Sequence, residues 1–190
     1  MSFALDLKAF AAKAEANAET VIKKVAIDLL GAVVDRSPVG NPELWAANAT
    51  ATQYNNEVSK LNAELRNDPS NLTKAGRMRP GRLIKDGMDL TAGAGYVGGR
   101  FRGNWQVSFD VTKTGTLERI DPSGSDSKGE GAALIQGFTS EVGSIWMINA
   151  LPYGPRLEFE GWSSQAPAGM VRISVVEFQT FIDRAVSELP

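Results

Sequence analysis

Residues 41–95 are poor in large apolar side chains, which are chiefly Trp45, Tyr54, Leu72, Met78, Leu83 and Ile84. So long a stretch cannot bury a core of its own. The main core must therefore come from the segments on either side, and the stretch reads as a long inserted arm. The expected organisation is residues 1–40 as the N-terminal helix of a core domain, 41–97 as a partly flexible arm, and 98–190 as its sheet and C-terminal helix. With 190 residues and 43% hydrophobic content, the chain has room for one such domain with an extension, or for two small ones.

Residues 6–36 read as one long helix. The segment has no proline and is rich in alanine, and Ile22, Val25, Leu29 and Val33 make one apolar face. Asp6 is its expected N-cap, and Pro38 with Gly40 stop it. In the arm, Val58, Leu61 and Leu65 predict a helix over 57–66, followed by the turn signal NDPSN. Trp105, Val107, Phe109 and Val111 alternate with polar residues and predict a strand. A weaker strand is expected at 116–120, a polar loop at 121–131, a short helix at 132–138 and a strand with both faces occupied at 144–150. Residues 152–160 read as a turn leading into a short element. Val171, Val175, Phe178, Ile182, Val186 and Leu189 place a second long helix over 167–189. The fold class is α+β, a small antiparallel sheet covered by long N-terminal and C-terminal helices, with a long inserted arm.

Histidine and cysteine are both absent. Cys/His zinc sites, His- or Cys-based catalysis and disulfides are thereby excluded. A net charge of −2 gives no global field toward nucleic acid or membrane. No apolar run is long enough to span a bilayer, and Asp6 and Lys8 interrupt the opening segment, so neither a membrane segment nor a signal peptide is expected. The reading is a soluble protein made in a cytoplasm.

Charge is nevertheless unevenly placed. Residues 74–102 carry a local net of +5, from Lys74, Arg77, Arg79, Arg82, Lys85, Arg100 and Arg102 against Asp86 and Asp89. Such a run suits nonspecific contact with DNA phosphates, an acidic surface of a partner or neighbouring subunit, or solvent. The glycine cluster GAGYVGG lacks the spacing and the flanking strand and helix of a phosphate loop, and reads as flexibility at the root of the arm. Glu158, Glu160, Glu177 and Asp183 are the carboxylates an enzyme would use, but nothing in the sequence converges with them. No cofactor is expected. Core packing explains Trp105, whereas Trp162 suits either packing or an exposed interface anchor.

Four landmarks in fixed order carry a resemblance: DRSPVG (35–40), GGRFRGNWQVS (98–108), INALPYGPRLEFEGWS (148–163) and QAPAGMVR (165–172). Together the set resembles the neck or tail-completion proteins of long-tailed bacteriophages. The resemblance implies a non-enzymatic virion component that assembles as a ring at the head-proximal end of the tail, with a hexamer favoured. Tail terminator, tail tube and head connector proteins would be its partners, and genomic DNA would lie nearby. Tail terminator or another neck connector is the alternative role, and a nonspecific DNA-binding module the alternative class. In the family a short loop commonly joins the first two landmarks, whereas here Gly99 lies 59 positions after Gly40.

We expect head-to-tail contacts around a closed ring, and an arm that orders on meeting its partners. Arg100, Arg102, Tyr153, Arg156, Glu158 and Trp162 are the expected interface residues. Lys74, Arg77, Arg79, Arg82 and Lys85 are the expected DNA-channel or partner contacts.

Overall fold

A 34-residue helix, α1 (Phe3–Arg36), spans about 51 Å and opens the fold. The computed structural model describes the backbone of residues 3–93 and 95–189, and side chains from residue 11 onward. Asp6 lies inside α1 rather than at its N-cap, because the helix is already formed at Phe3. Val25, Ala26, Leu30, Val33 and Val34 are buried in its second half. Ser37 ends it by turning its hydroxyl back onto the Val33 carbonyl at 2.8 Å, and Pro38 follows.

The chain divides into two compact units, one formed by Met1–Gly40 with Val97–Pro190 and the other by Asn41–Tyr96. The first unit is α+β. Strand β1 (Trp105–Phe109) pairs antiparallel with β2 (Ile145–Asn149), Trp105 facing Asn149 and Phe109 facing Ile145. Helix α3 (Ser125–Gln136) packs against both α1 and β1. Leu30, Val34, Trp105, Val107, Ile135, Leu157 and Met170 belong to one core, so residues far apart in sequence share it. Helices α4 (Gly154–Phe159), α5 (Val171–Val176) and α6 (Phe178–Ser187) complete the unit. Phe181 and Ala185 of α6 bury against Val25 of α1.

Several local expectations are corrected. The C-terminal segment is two helices meeting at Glu177, and it starts at Val171 rather than at Pro167. Arg36 grips that junction, donating to Ser174 Oγ at 2.9 Å and to both Glu177 carboxylate oxygens at 2.8 Å. The β-branched run Val171, Ile173, Val175, Val176 weakens helix propensity just before the break. Helix α3 begins at Ser125, inside the expected polar loop, because the buried Asp121 carboxylate accepts from the Ser127 amide and hydroxyl and from the Ser123 hydroxyl. In β2, Trp146 is exposed, so that strand is not covered on both faces.

Residues 116–120 run alongside β1 without forming a strand. The side chain of Asn104 takes the place of a backbone partner: its Oδ1 accepts from the Leu117 amide at 2.7 Å and its Nδ2 donates to the Leu117 carbonyl at 3.0 Å. Gln106 Nε2 adds a bond to the Gly115 carbonyl at 2.7 Å. A carboxamide carries the same donor and acceptor pair as a peptide group, so it can satisfy an extended chain without a ladder.

The second unit uses this device repeatedly. Its helix α2 (Ala49–Asn67) extends well beyond the expected 57–66. Asn48 at its N-cap, Asn55 and Asn62 recur every seven residues and so stay on one face. Each accepts an amide and donates to the carbonyl of a single residue on the returning chain, at Thr91, Met88 and Ile84 respectively, with distances of 2.8–3.3 Å. Ala51 is the one buried hydrophobic residue in this unit among the described residues. Hydrogen-bonded asparagine thus stands where a core would be.

Candidate functional site

The four sequence landmarks converge in the first unit. The Arg102 guanidinium donates to the Ser37 carbonyl from Nε at 3.1 Å and from Nη2 at 2.7 Å, to the Asp35 carbonyl at 3.1 Å and to the Pro122 carbonyl at 2.8 Å. A cation there satisfies carbonyls that the end of α1 leaves open and complements the helix dipole. Trp105 Nε1 donates to Ser37 Oγ at 2.7 Å. Gln165 clasps Val39 by another two-pronged carboxamide contact, at 3.2 and 2.7 Å. Asn149 Nδ2 donates to the Phe101 carbonyl at 2.8 Å, which joins the second landmark to the third.

Glu158 joins the third landmark to the fourth. It is only 7% exposed, and its carboxylate accepts the amides of Met170, Val171 and Arg172 at 2.8–3.0 Å. The Arg172 guanidinium returns to the Glu158 carbonyl. Burial pushes the Glu158 carboxyl up, but these three amides and the Arg172 side chain outweigh it and hold the group below its ordinary value. Asp121 behaves alike: burial raises it, and donors from Ser127, Ser123 and Gly124 bring it below the ordinary aspartate value.

The expected interface residues therefore separate into two groups. Arg102 and Glu158 direct their polar groups into the first unit, where they hold its chain segments together. Tyr153, Arg156 and Trp162 share one surface. Trp162 is 59% exposed, its ring 6.2 Å from that of Tyr153, and the Arg156 guanidinium lies 5.6 Å from its centre. Tyr153 in turn packs on the buried Phe101, centroids 5.7 Å apart, so the exposed indole is anchored to the core through one ring. Arg100 is exposed and pairs with Glu118 at 3.3 Å.

Sequence reasoning missed a second pair, Phe159 at the end of α4 with Arg172 of α5. Phe159 is 67% exposed and the Arg172 guanidinium lies 5.3 Å from its ring centre. The available signal was the spacing of three aromatic residues, Tyr153, Phe159 and Trp162, through PYGPRLEFEGW; Arg172 lies outside that stretch and nothing local marks it as a partner. An arginine over an exposed aromatic ring contributes about 0.5–1 kcal/mol and keeps the ring oriented.

In the second unit, Lys74, Arg77, Arg79, Arg82 and Lys85 are all exposed around a tight turn. Leu72 bridges Met78, and Thr73 receives the turn through its amide to the Arg77 carbonyl at 2.8 Å. Arg79 Nε is spent on the Leu72 carbonyl at 2.9 Å. Among the described residues none of the five makes a salt bridge.

The carboxylates considered for catalysis have separate engagements. Glu158 caps α5, Glu177 pairs with Arg36, and Asp183 accepts from Gln179. Among the described residues no group of three or more Asp or Glu side chains is placed to hold a metal ion, and no helix is long and apolar enough to cross a membrane. No protein-family model, no curated protein and no solved structure matches the chain.

Proposed function

We propose that this chain is a structural protein of a tailed-phage virion, a tail-completion or neck component that assembles as a homo-oligomeric ring at the head-proximal end of the tail. The observation that carries the reading is the convergence of the four landmark segments. The first, the second and the adjoining last two lie far apart in sequence, yet hydrogen bonds through Arg102, Trp105, Asn149, Glu158 and Gln165 join them into one body. That body presents Tyr153, Arg156 and Trp162 outward. An exposed, oriented aromatic and arginine cluster has the composition of an interface hot spot. The ring would form by head-to-tail contacts through this surface, with the hexamer as the favoured closure.

The test is mass by light scattering, first of the chain alone and then with tail tubes of its virion. A ring-sized species, or a monomer that becomes ring-sized on tubes, is the expected result. A strict monomer that ignores tails would overturn the reading. A second reading, nonspecific DNA contact, is favoured by the five exposed cations of residues 74–85, none of which makes a salt bridge among the described residues. It predicts duplex binding that weakens steeply with salt and is lost when those cations are replaced.

A further inference from the structure

Helix α2 is built as a receptor for extended main chain, and residues 84–91 of the same chain occupy it. From Asn48 to Asn62 the helix rises about 21 Å. From Ile84 to Thr91 an extended chain covers about 22 Å. The two lengths match, and the pairing runs antiparallel: Asn48 with Thr91, Asn55 with Met88, Asn62 with Ile84. All six of these contacts are made to backbone amides and carbonyls. Such a receptor reads conformation rather than side chains.

Beyond these six contacts, the Tyr54 hydroxyl donates to the Asp86 carboxylate of the segment. Met88 is exposed, and the unit buries a single hydrophobic side chain among the described residues. Gly81 and Gly95, beyond its two ends, have φ of +75° and +70°, with open space where a Cβ would stand. These are turns that glycine makes without side-chain packing to lock them. Leaving the receptor thus exchanges six main-chain contacts and the Tyr54–Asp86 bond for water without opening a core.

We propose that in the assembled protein this receptor is filled in trans, residues 84–91 of one copy lying on Asn48, Asn55 and Asn62 of its neighbour. A second copy is the occupant because it brings a segment of the right length, together with Asp86, whose carboxylate accepts from the Tyr54 hydroxyl at 2.5 Å. Every contact made within one chain is recovered between two, so exchange costs little and is driven by concentration and ring closure. The inference rests on the homo-oligomeric part of the proposed function, and is independent of where in the virion the ring sits.

Two variants test it. Asn48→Ala/Asn55→Ala/Asn62→Ala lacks the receptor and keeps the segment. Met88→Pro/Thr91→Pro keeps the receptor and lacks two of the segment's three amide donors. Each alone has no exchange partner, whereas their mixture restores one complete receptor–segment pair. A 1:1 heterodimer by native mass spectrometry, seen only in the mixture, is expected. A mixture that retains the masses of its separate components, while wild type forms rings, overturns the exchange and leaves the ring reading standing. Wild type that stays monomeric with and without tail tubes overturns both. Should either variant fail to fold, a synthetic peptide of residues 82–93 added to wild type serves instead. Assembly slowed at least tenfold at millimolar peptide is expected, and unchanged assembly overturns the proposal.

Discussion

The indole of Trp105 donates its N–H to the hydroxyl of Ser37 across 2.7 Å, deep in the first unit and 68 positions away in sequence. Ser37 is fully buried, and its hydroxyl also donates to the Val33 carbonyl at 2.8 Å. One small side chain thus ends α1 and positions the first residue of β1.

That relationship predicts the effect of removing either partner. Ser37→Ala leaves a buried indole donor without an acceptor, for a loss of about 1–3 kcal/mol. Trp105→Phe removes the donor and some packed area, for a similar or larger loss. Denaturant unfolding of the double variant should show the two losses falling short of additivity by about 1 kcal/mol. Strict additivity would mean that the bond contributes nothing.

Glu158 makes stability depend on pH. Its carboxyl is held below the ordinary glutamate value of 4.5, because the amides of Arg172, Met170 and Val171 overcome the upward push of burial. The folded state therefore favours the ionised form. That stabilisation is fully present above the ordinary value and is lost as pH falls through the depressed one. Urea midpoints should show wild type more stable than Glu158→Gln near neutral pH, with the gap closing below about pH 4. A gap that stays constant with pH would show that ionisation of Glu158 is not what holds the start of α5.

Gly99 predicts an intolerant position. Its φ is +115°, and a Cβ there would stand 2.5 Å from the Pro122 nitrogen. Gly99→Ala should cost about 3 kcal/mol or more, since both the backbone and Pro122 would have to shift. At Gly115 a Cβ meets nothing within 4 Å. Gly115→Ala should stay within about 0.5 kcal/mol. Equal thermal shifts for the two would contradict this account.

The exposed cluster predicts a separation of assembly from stability. Trp162→Ala and Arg156→Ala remove side chains that are largely exposed, so unfolding should change by no more than about 1 kcal/mol. Ring formation should fall at least tenfold, as expected for a central aromatic or arginine anchor. The check is light scattering beside a melting curve. Intact assembly in both variants would move the interface elsewhere, with Phe159 and Arg172 the next surface to replace.

Much of the fold is legible in local chemistry. The apolar stripe and alanine content of residues 6–36 made a helix predictable, and Pro38 marked its end. Alternation around Trp105 identified β1, and the poverty of apolar residues after Asn41 showed that the stretch could bury little, consistent with Ala51 standing alone there among the described residues. For Trp162 the sequence leaves packing and exposure equally open, and the ring is exposed. The expected interface list was less legible, because an arginine or glutamate looks the same in sequence whether it faces solvent or a helix end. Arg102 and Glu158 differ from Arg156 only in what folds against them.

The sequence by itself determined the α+β class, the long first helix and the exclusion of histidine and cysteine chemistry. These follow from periodicity and composition, which are local properties of the chain. Tertiary structure alone decided where the carboxamides point. Asn48, Asn55, Asn62, Asn104 and Gln165 each satisfy the amide and carbonyl of one distant residue, and thereby hold extended segments without a β-ladder. A carboxamide offers one donor and one acceptor to whatever chain approaches it. Its residue type therefore carries no record of its partner, and only the folded path of the backbone supplies one.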